Sequence, residues 1–232
     1  MKTIESERDE MSDSPRDQLA VQLAEAVAEA LRVDLTHQEN ALLVVSGGST
    51  PVPFFTALAA YELPWARIQV TLADERWVAE DAADSNARLV REHLLQGPAS
   101  AARFVPLTSD DLTPEQGAAA VAERVARLAW PASVVILGMG GDGHTASLFP
   151  DSRELDLALA TDAQALAVRT PSQPQPRITL SADRLHQARR HVLHITGGDK
   201  RDVLARALSG DDVRELPIRA FLACPLATYW AP

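Results

Sequence analysis

GMGGDGHTASLFP, residues 138–150, follows the apolar run 134–137 and is the clearest indication of the fold. A short apolar run that ends in glycines is typical of a strand buried on both faces, as in parallel sheets. Gly138, Gly140 and Gly143 match the Gly-x-Gly-x-x-Gly pattern of dinucleotide-binding folds. That pattern requires a long helix after its third glycine, and a proline interrupts any helix within seven residues here. We therefore expect an α/β fold in which this turn does not bind a dinucleotide.

Strand and helix patterns alternate on both sides of this turn. The strand candidates are residues 41–45, 68–72, 134–137, 166–168, 178–180 and 192–195. The helix candidates are residues 15–32, 54–61, 85–95, 114–128 and 199–208. Such alternation predicts a mostly parallel sheet with helices on both faces. Because there is no internal repeat or low-complexity linker, residues 15–232 are expected to form one domain, and the polar residues 1–14 a flexible tail.

The composition restricts the classes of function. The chain of 232 residues is 46% apolar and carries a net charge of −10. Basic surfaces that attract nucleic acid or anionic membranes are therefore not expected. No apolar run approaches the roughly 18–20 residues that cross a bilayer, and the single cysteine, Cys224, can form no internal disulfide. We expect a cytoplasmic protein in which an anionic ligand is held by a local cluster of donors.

Three further segments lie where predicted strands end, which is where open α/β sheets bind ligands. SGGSTP at 46–51 combines glycines, hydroxyls and a following helix, which suits a phosphate but is equally consistent with a tight turn. Arg76 in DERW (74–77) offers a planar charged fork, and Lys200 in TGGDK (196–200) lies at a helix start. Taken singly, each of these two cations is as consistent with an ordinary surface charge.

His144 is the strongest candidate for a catalytic group. It lies in the glycine-rich turn, and imidazole titrates near neutral pH, as suits a general base. Asp142 or the acidic pair 74–75 is a candidate for fixing its tautomer. His191 and His194 are three apart in a predicted strand and point to opposite faces, so they are not expected to share a metal. No familiar metal-ligand spacing is present in the sequence.

Together these segments resemble the 6-phosphogluconolactonase family. The matching stretches occur in the family's order: SGGSTP (46–51), DERWV (74–78), DSN (84–86), GMGGDGHTASLFP (138–150), PRITL (176–180) and TGGDK (196–200). The glycine-histidine stretch is specific, whereas SGGSTP and PRITL alone are weak signals. The resemblance implies a three-layer α/β/α sandwich with a Rossmann-like sheet, shared with sugar-phosphate isomerases and deaminases.

The resemblance also implies a reaction and a set of site residues. The reaction is hydrolysis of 6-phospho-D-glucono-1,5-lactone to 6-phospho-D-gluconate in the pentose phosphate pathway, with no metal and no cofactor. His144 matches the family's general base, and Asp142 is a candidate for its catalytic partner, with the acidic pair 74–75 as the alternative. The implied substrate-binding residues are Gly47, Gly48, Ser49, Thr50, Arg76 and Lys200, with Arg88 and Arg177 as helpers. The expected partner is a small sugar phosphate, and the expected assembly is a monomer or weak homodimer.

Two alternatives stay open. A glucosamine-6-phosphate deaminase or isomerase would use Asp74 as its base, but its motif resembles DGHIAFNEP where this chain has DGHTASLFP. The acidic residue of that stretch is therefore absent. A non-catalytic sugar-phosphate sensor would keep the phosphate loop and need no base, so the intact turn around His144 counts against it.

Overall fold

The computed structural model describes residues 14–232, which form nine strands and eight α-helices. The strands are β1 (Ala41–Val45), β2 (Ile68–Leu72), β3 (Asp74–Arg76), β4 (Arg103–Val105), β5 (Val134–Leu137), β6 (Ala165–Val168), β7 (Arg177–Leu180), β8 (His191–Thr196) and β9 (Leu226–Ala231). The helices are α1 (Pro15–Leu35), α2 (Val52–Ala59), α3 (Asn86–His93), α4 (Pro114–Ala126), α5 (Leu155–Ala160), α6 (Ala182–His186), α7 (Gly198–Leu208) and α8 (Arg219–Leu222). The predicted tail, residues 1–14, lies outside the described residues except for Ser14.

Six strands form one parallel sheet in the order β4-β2-β1-β5-β8-β9. Every residue of β1, β2 and β5 is buried, which explains why their sequences are almost entirely apolar. From β1 the chain continues outward to β2 and β4, whereas from β5 it continues in the opposite direction to β8 and β9. Open α/β sheets bind ligands where the strand order reverses. The carboxyl ends of β1 and β5 are therefore the expected place for a site.

Strands β3, β7 and β6 form a separate, antiparallel sheet. The predicted strands 166–168 and 178–180 therefore pair with each other and not with the main sheet, and residues 74–76 are a strand themselves. Ala73 joins the two sheets, because its N–H donates to Val45 O at 2.8 Å and its carbonyl accepts from Leu180 N at 2.9 Å. Strands of three or four residues carry too little periodicity to reveal their partners, so the sequence could not separate the two sheets.

Helix α1 illustrates how local sequence sets the element boundaries. Ser14 Oγ accepts from Asp17 N at 3.3 Å, and the Asp17 carboxylate accepts from Ser14 N at 3.2 Å. This reciprocal cap and the proline at the first position start the helix where the sequence predicts. Its buried side chains, Leu23, Val27 and Leu31 among them, pack against the sheet and α2.

The structure confirms the α/β class and most of the predicted elements. Segments 41–45, 68–72 and 134–137 are strands with the predicted bounds, and 192–195 lies within β8. The sequence patterns did not reveal β4, β9 and the short helices α5, α6 and α8. Strand β9 lies at a sheet edge and is mostly half-buried or exposed, unlike the fully buried strands β1, β2 and β5.

Candidate functional site

A cavity of about 340 Å³ opens at the carboxyl ends of β1, β5 and β8. Side chains of β3 and β7 form part of its wall, so both sheets contribute to it. It lies where the strand order reverses, as the topology requires. The lining residues are 46–50, 136–140 and 194–196, with Asp74, Arg76, Asn86, His144, Ala146, Gln173, Arg177 and Lys200.

His144 and Asp142 form a hydrogen-bonded pair in the turn after β5. Two backbone bonds close this turn, from Gly140 N to His144 O at 2.8 Å and from Gly143 N to Gly140 O at 3.1 Å. Within it, His144 Nδ1 lies 2.6 Å from Asp142 Oδ1. Because a carboxylate only accepts hydrogen bonds, this contact keeps the proton of the neutral imidazole on Nδ1. The other nitrogen, Nε2, then carries a lone pair that can accept a proton.

The surroundings of Asp142 favour its ionised form. Partial burial raises the pKa of Asp142, but the hydrogen bond and the charge of His144 lower it by more, and the net pKa is below the ordinary value. The backbone N–H of His144 also donates to the same carboxylate oxygen, at 3.2 Å. The imidazole packs on Phe149 with ring centroids 4.2 Å apart. The imidazole orientation is thus fixed by a carboxylate and by an aromatic ring.

The acidic pair Asp74 and Glu75, the alternative partner for His144, is engaged elsewhere. Asp74 Oδ2 accepts from a serine hydroxyl at 2.5 Å and lies 3.5 Å from Arg177 Nη1. Glu75 accepts from two backbone N–H groups at the start of α3, at 2.8 and 2.7 Å. Burial raises the pKa of Glu75, although these backbone bonds lower it in part. Asp142 is therefore the carboxylate that contacts the histidine.

At one position of the turn around His144, any side chain would collide with the histidine–aspartate pair. A Cβ atom on Gly140 would lie 2.1 Å from His144 Nδ1 and 2.5 Å from Asp142 Oδ1. Contacts below 3.0 Å force one partner to move. Because Gly140 has no side chain, the His144 and Asp142 side chains can pack directly against its backbone and bond to each other.

The predicted phosphate loop forms another part of the cavity wall. Gly47, Gly48, Ser49 and Thr50 all line the cavity, directly before α2. Thr50 Oγ1 lies 3.3 Å from Oγ1 of Thr196, the last residue of β8, which is separated from β1 by β5 in the sheet. The structure thus brings hydroxyl groups from two strand ends into one place, next to backbone that carries no side chain.

This loop is fixed to its neighbours on both sides. Ser46 Oγ donates to Ile136 O at 2.8 Å and accepts from Gly138 N at 3.1 Å, which connects the loop to the end of β5. On the other side, a Cβ atom on Gly47 would lie 1.8 Å from Asn86 Oδ1. Glycine at position 47 therefore lets the Asn86 amide pack directly against the loop.

Arg76 and Lys200 bring positive charge to the cavity, as the sequence predicts. Arg76 Nη1 donates to Asp84 O at 2.6 Å and to Asn86 Oδ1 at 3.2 Å, so the guanidinium is held in place. Lys200 forms no ion pair with any residue in the range 14–232. A Cβ atom on Gly141 would lie 3.9 Å from Lys200 Nζ, so the ammonium reaches the turn after β5. One cation is fixed and the other is free to bind an anion.

Arg177 also lines the cavity, in the middle of the second sheet. It lies opposite Arg76 in the antiparallel register of β7 and β3. Its guanidinium lies 3.5 Å from Asp74 and 5.1 Å above the ring of Phe149. Burial lowers the pKa of Arg177, and the charge of Asp74 opposes that change. Arg177 therefore contacts both Asp74 of β3 and the Phe149 ring that packs against His144.

Arg88, expected as a helper in substrate binding, is not among the residues that line the cavity. Its Nε donates to Glu92 at 2.7 Å and its Nη1 to Asp81 O at 3.3 Å, in an exposed cluster. Residues two apart on a helix point to different sides. Because Asn86 points into the cavity, Arg88 points away from it.

The structure adds side chains that the sequence analysis did not assign to a site. Asn86, Gln173, Thr196 and His194 line the cavity. Asn86 Nδ2 donates to Asp74 O at 2.9 Å, which connects α3 to β3. His194 and Thr196 lie on the same face of β8, because alternate residues of a strand point the same way. The alternation of β8 therefore places His194 at the cavity once Thr196 is known to line it.

The two histidines of β8 do point to opposite faces. His191 Nε2 bonds to Leu185 O at 3.0 Å, away from the cavity that His194 lines. Across residues 14–232 there is no group of three or more His, Cys, Asp or Glu side chains that could hold a metal ion. Over the same range, no helix has the length and apolar character needed to cross a membrane.

The fold and the site define an open α/β protein with a histidine–aspartate pair and a glycine-and-hydroxyl loop at the carboxyl ends of adjacent parallel strands. The sequence profile of the family described as glucosamine-6-phosphate isomerases/6-phosphogluconolactonase matches residues 14–230. The chain belongs to this family.

Individual relatives agree with this assignment. A 6-phosphogluconolactonase of Pseudomonas aeruginosa is 48% identical over 212 residues, which cover 90% of this chain and 89% of the relative. A 6-phosphogluconolactonase of Pseudomonas putida is 44% identical over 216 residues, with 92% and 89% covered. The crystal structure of a 6-phosphogluconolactonase from Shewanella baltica superposes with a TM-score of 0.93 at 45% identity and covers 95% of each chain. The similarity therefore extends over nearly the whole chain.

Proposed function

We propose that this chain hydrolyses 6-phospho-D-glucono-1,5-lactone to 6-phospho-D-gluconate, a step of the pentose phosphate pathway. The observation that carries the proposal is the 2.6 Å contact between His144 and Asp142 in a cavity that also contains the loop 46–50. Relatives named 6-phosphogluconolactonase, 44% and 48% identical over about nine-tenths of the chain, support it.

In this mechanism His144 acts as a general base. Its Nε2 accepts a proton from water, and the hydroxide adds to the lactone carbonyl carbon to form a tetrahedral oxyanion. Backbone N–H groups of the turn 138–144 stabilise the oxyanion. The bond from the carbonyl carbon to the ring oxygen then breaks, and the imidazolium returns its proton to that oxygen. Asp142 stabilises the imidazolium between the two proton transfers.

The phosphate of the substrate is bound away from the reacting carbonyl. The loop 47–50 offers backbone N–H groups and hydroxyls, and Arg76 and Lys200 supply positive charge. On a chain with a net charge of −10, such a local cluster is needed to hold a dianion. Binding energy from this remote group positions the carbonyl next to His144.

The proposal predicts different defects for His144→Ala and Lys200→Ala. The assay is opening of freshly made lactone, coupled to 6-phosphogluconate dehydrogenase, with the spontaneous rate subtracted. His144→Ala is expected to lower kcat by roughly 10²–10⁴-fold, the usual contribution of a general base. Lys200→Ala is expected to raise KM about tenfold, because it removes a charged hydrogen-bond donor to the phosphate.

Arg201→Ala is the matched control for Lys200→Ala. Arg201 is the next residue of α7, but its guanidinium lies 5.2 Å above the ring of Trp230 and it does not line the cavity. Its removal is expected to leave kcat and KM unchanged. Equal losses of both parameters in His144→Ala and Lys200→Ala would contradict the separate roles. No acceleration by the wild type would contradict the lactonase function, and glucosamine 6-phosphate would be the next substrate to test.

A further inference from the structure

His194 is a buried cavity residue with no role in the mechanism above. It lies in β8 and is 5% exposed, and its side chain lines the same cavity as the phosphate loop. Its Nδ1 is enclosed and has no hydrogen-bond partner. The other nitrogen, Nε2, is not enclosed and also has no partner within residues 14–232, so it is the atom that a ligand can reach.

The position of His194 along β8 places it next to the phosphate-binding groups. Thr196 lies two residues further on the same face of the strand, and its hydroxyl is 3.3 Å from that of Thr50 in the phosphate loop. Phe54 of α2, which does not line the cavity, packs edge-on against the His194 imidazole, with ring centroids 6.1 Å apart. The ring therefore lies between the first turn of α2 and the part of the cavity bounded by these two threonines.

The surroundings also determine where the His194 ring carries its proton. Burial alone lowers the pKa of His194 to about 4, and no charged side chain contributes to the shift. The ring is therefore neutral at pH 7 and carries one proton. A proton on Nδ1 would be a buried donor without an acceptor, which is more costly than a buried lone pair. The proton accordingly resides on Nε2, where it faces the cavity.

We propose that His194 is an additional ligand-binding residue, which donates its Nε2–H to a phosphate oxygen held by the loop 47–50. As a neutral ring, His194 donates one hydrogen bond to the phosphate, whereas Arg76 and Lys200 also contribute positive charge. The proposal rests on the proposed function in so far as the ligand is a sugar phosphate. The chemistry it names, a donor to a phosphate oxygen, can be tested without turnover.

The tautomer can be observed directly in the wild-type protein. A long-range ¹H–¹⁵N correlation spectrum at pH 7 distinguishes the protonated ring nitrogen from the unprotonated one, and His194→Gln identifies the signals of His194 by their loss. The expected pattern is a neutral ring with the proton on Nε2, and that proton should shift when inorganic phosphate is added. A proton on Nδ1, or no response to phosphate, would overturn the proposal.

Equilibrium binding tests the energetic role. Dissociation constants for 6-phosphogluconate and for inorganic phosphate are measured calorimetrically at pH 8 with the wild type, His194→Leu and His194→Gln. His194→Leu is expected to weaken both ligands roughly tenfold or more, because it removes a donor to a charged group. His194→Gln retains an amide donor and is expected to recover part of the loss. In turnover assays the defect should appear in KM and not in kcat.

Phe54→Leu is the packing control, because Phe54 touches the imidazole but does not line the cavity. If Phe54→Leu weakens phosphate binding as much as His194→Leu, the role of His194 is packing and the proposal fails. If His194→Leu weakens only 6-phosphogluconate and leaves inorganic phosphate unchanged, the phosphate assignment fails. Absence of lactone hydrolysis by the wild type would overturn the proposed function but would leave both binding results interpretable.

Discussion

Single atoms decide whether the His144–Asp142 pair can form. The pair depends on the missing side chain at Gly140, since a Cβ atom there would lie 2.1 Å from the imidazole. Gly141 is the next residue of the same turn, and a Cβ atom on it would meet nothing closer than Lys200 Nζ at 3.9 Å. Adjacent glycines of one turn therefore differ in what they tolerate.

Gly140→Ala is expected to separate the pair and lower kcat by roughly 10²-fold or more, because a misplaced general base loses most of its contribution. The protein should still fold, which circular dichroism and a thermal melt would check. Gly141→Ala is the matched control and is expected to keep at least half of the wild-type kcat, since 3.9 Å is an ordinary contact. Similar kcat values for the two variants would show that His144 does not need the close approach.

The sequence identified cavity residues that lie in recognisable motifs just after a buried strand, and it missed those whose local sequence carries no such signal. His144, Asp142, Arg76 and Lys200 follow strand ends in glycine-rich or charged stretches, where position along the chain indicates position in the fold. The pairing of Asp142 with His144 could be stated only as one of two alternatives, because the choice depends on where the acidic pair 74–75 is held. His194 was missed because the sequence around a histidine in an apolar strand does not show whether its side of the strand faces a cavity or the core.

Helix α3 owes its position to a carboxylate from the second sheet. Glu75 accepts from the N–H groups of Asn86 and Ala87, and Arg76 beside it bonds to the Asn86 side chain. The contact fixes both the first turn of α3 and the Asn86 amide that packs against Gly47. The second sheet thereby sets the position of a helix that contributes to the wall of the cavity.

Glu75→Ala is expected to lower the free energy of unfolding by roughly 1–3 kcal/mol, because it leaves two buried N–H groups without acceptors. Urea unfolding monitored by fluorescence measures this loss. Glu92→Ala, in the same helix, removes only an exposed ion pair with Arg88 and is expected to cost less than about 1 kcal/mol. Comparable losses in the two variants would mean that the Glu75 cap does not hold α3.

At the scale of elements, prediction succeeded where burial leaves a pattern in the chain. Strands β1, β2 and β5 are buried on both faces and were located with their bounds, and the Ser14 cap located the start of α1. The division into two sheets was not predicted. It depends on Ala73 bonding to both sheets, and no property of an alanine in an apolar run reveals that.

For the molecule as a whole, the buried His194 makes stability depend on pH. Its pKa is lowered from 6.5 to about 4 in the folded state. Below pH 6.5 the unfolded chain therefore binds a proton that the folded protein does not bind until about pH 4. The stability that this group contributes is present above pH 6.5 and is lost as the pH falls towards 4.

The free energy of unfolding is expected to fall by on the order of 3 kcal/mol through His194 between pH 7 and pH 4. His194→Leu should therefore show a shallower decline than the wild type in urea titrations at pH 7, 5.5 and 4.5. The comparison of slopes removes the contributions of the other titrating groups, which both proteins share. Parallel declines would mean that His194 is protonated in the folded protein.

The hydrogen bonds between Ser46 and the end of β5 bear on which lengths of sugar phosphate the site can accept. They lock the loop after β1 to the turn after β5, and these strands are immediate neighbours in the sheet, about 4.8 Å apart. These contacts fix the distance between the loop 47–50, where the phosphate is proposed to bind, and the turn that carries His144, the proposed base. With the site residues in their proposed roles, a sugar lactone with one carbon fewer between its phosphate and its carbonyl is expected to reach only one of the two positions. We therefore expect the pairing of β1 with β5 to make the proposed site selective for the length of its substrate.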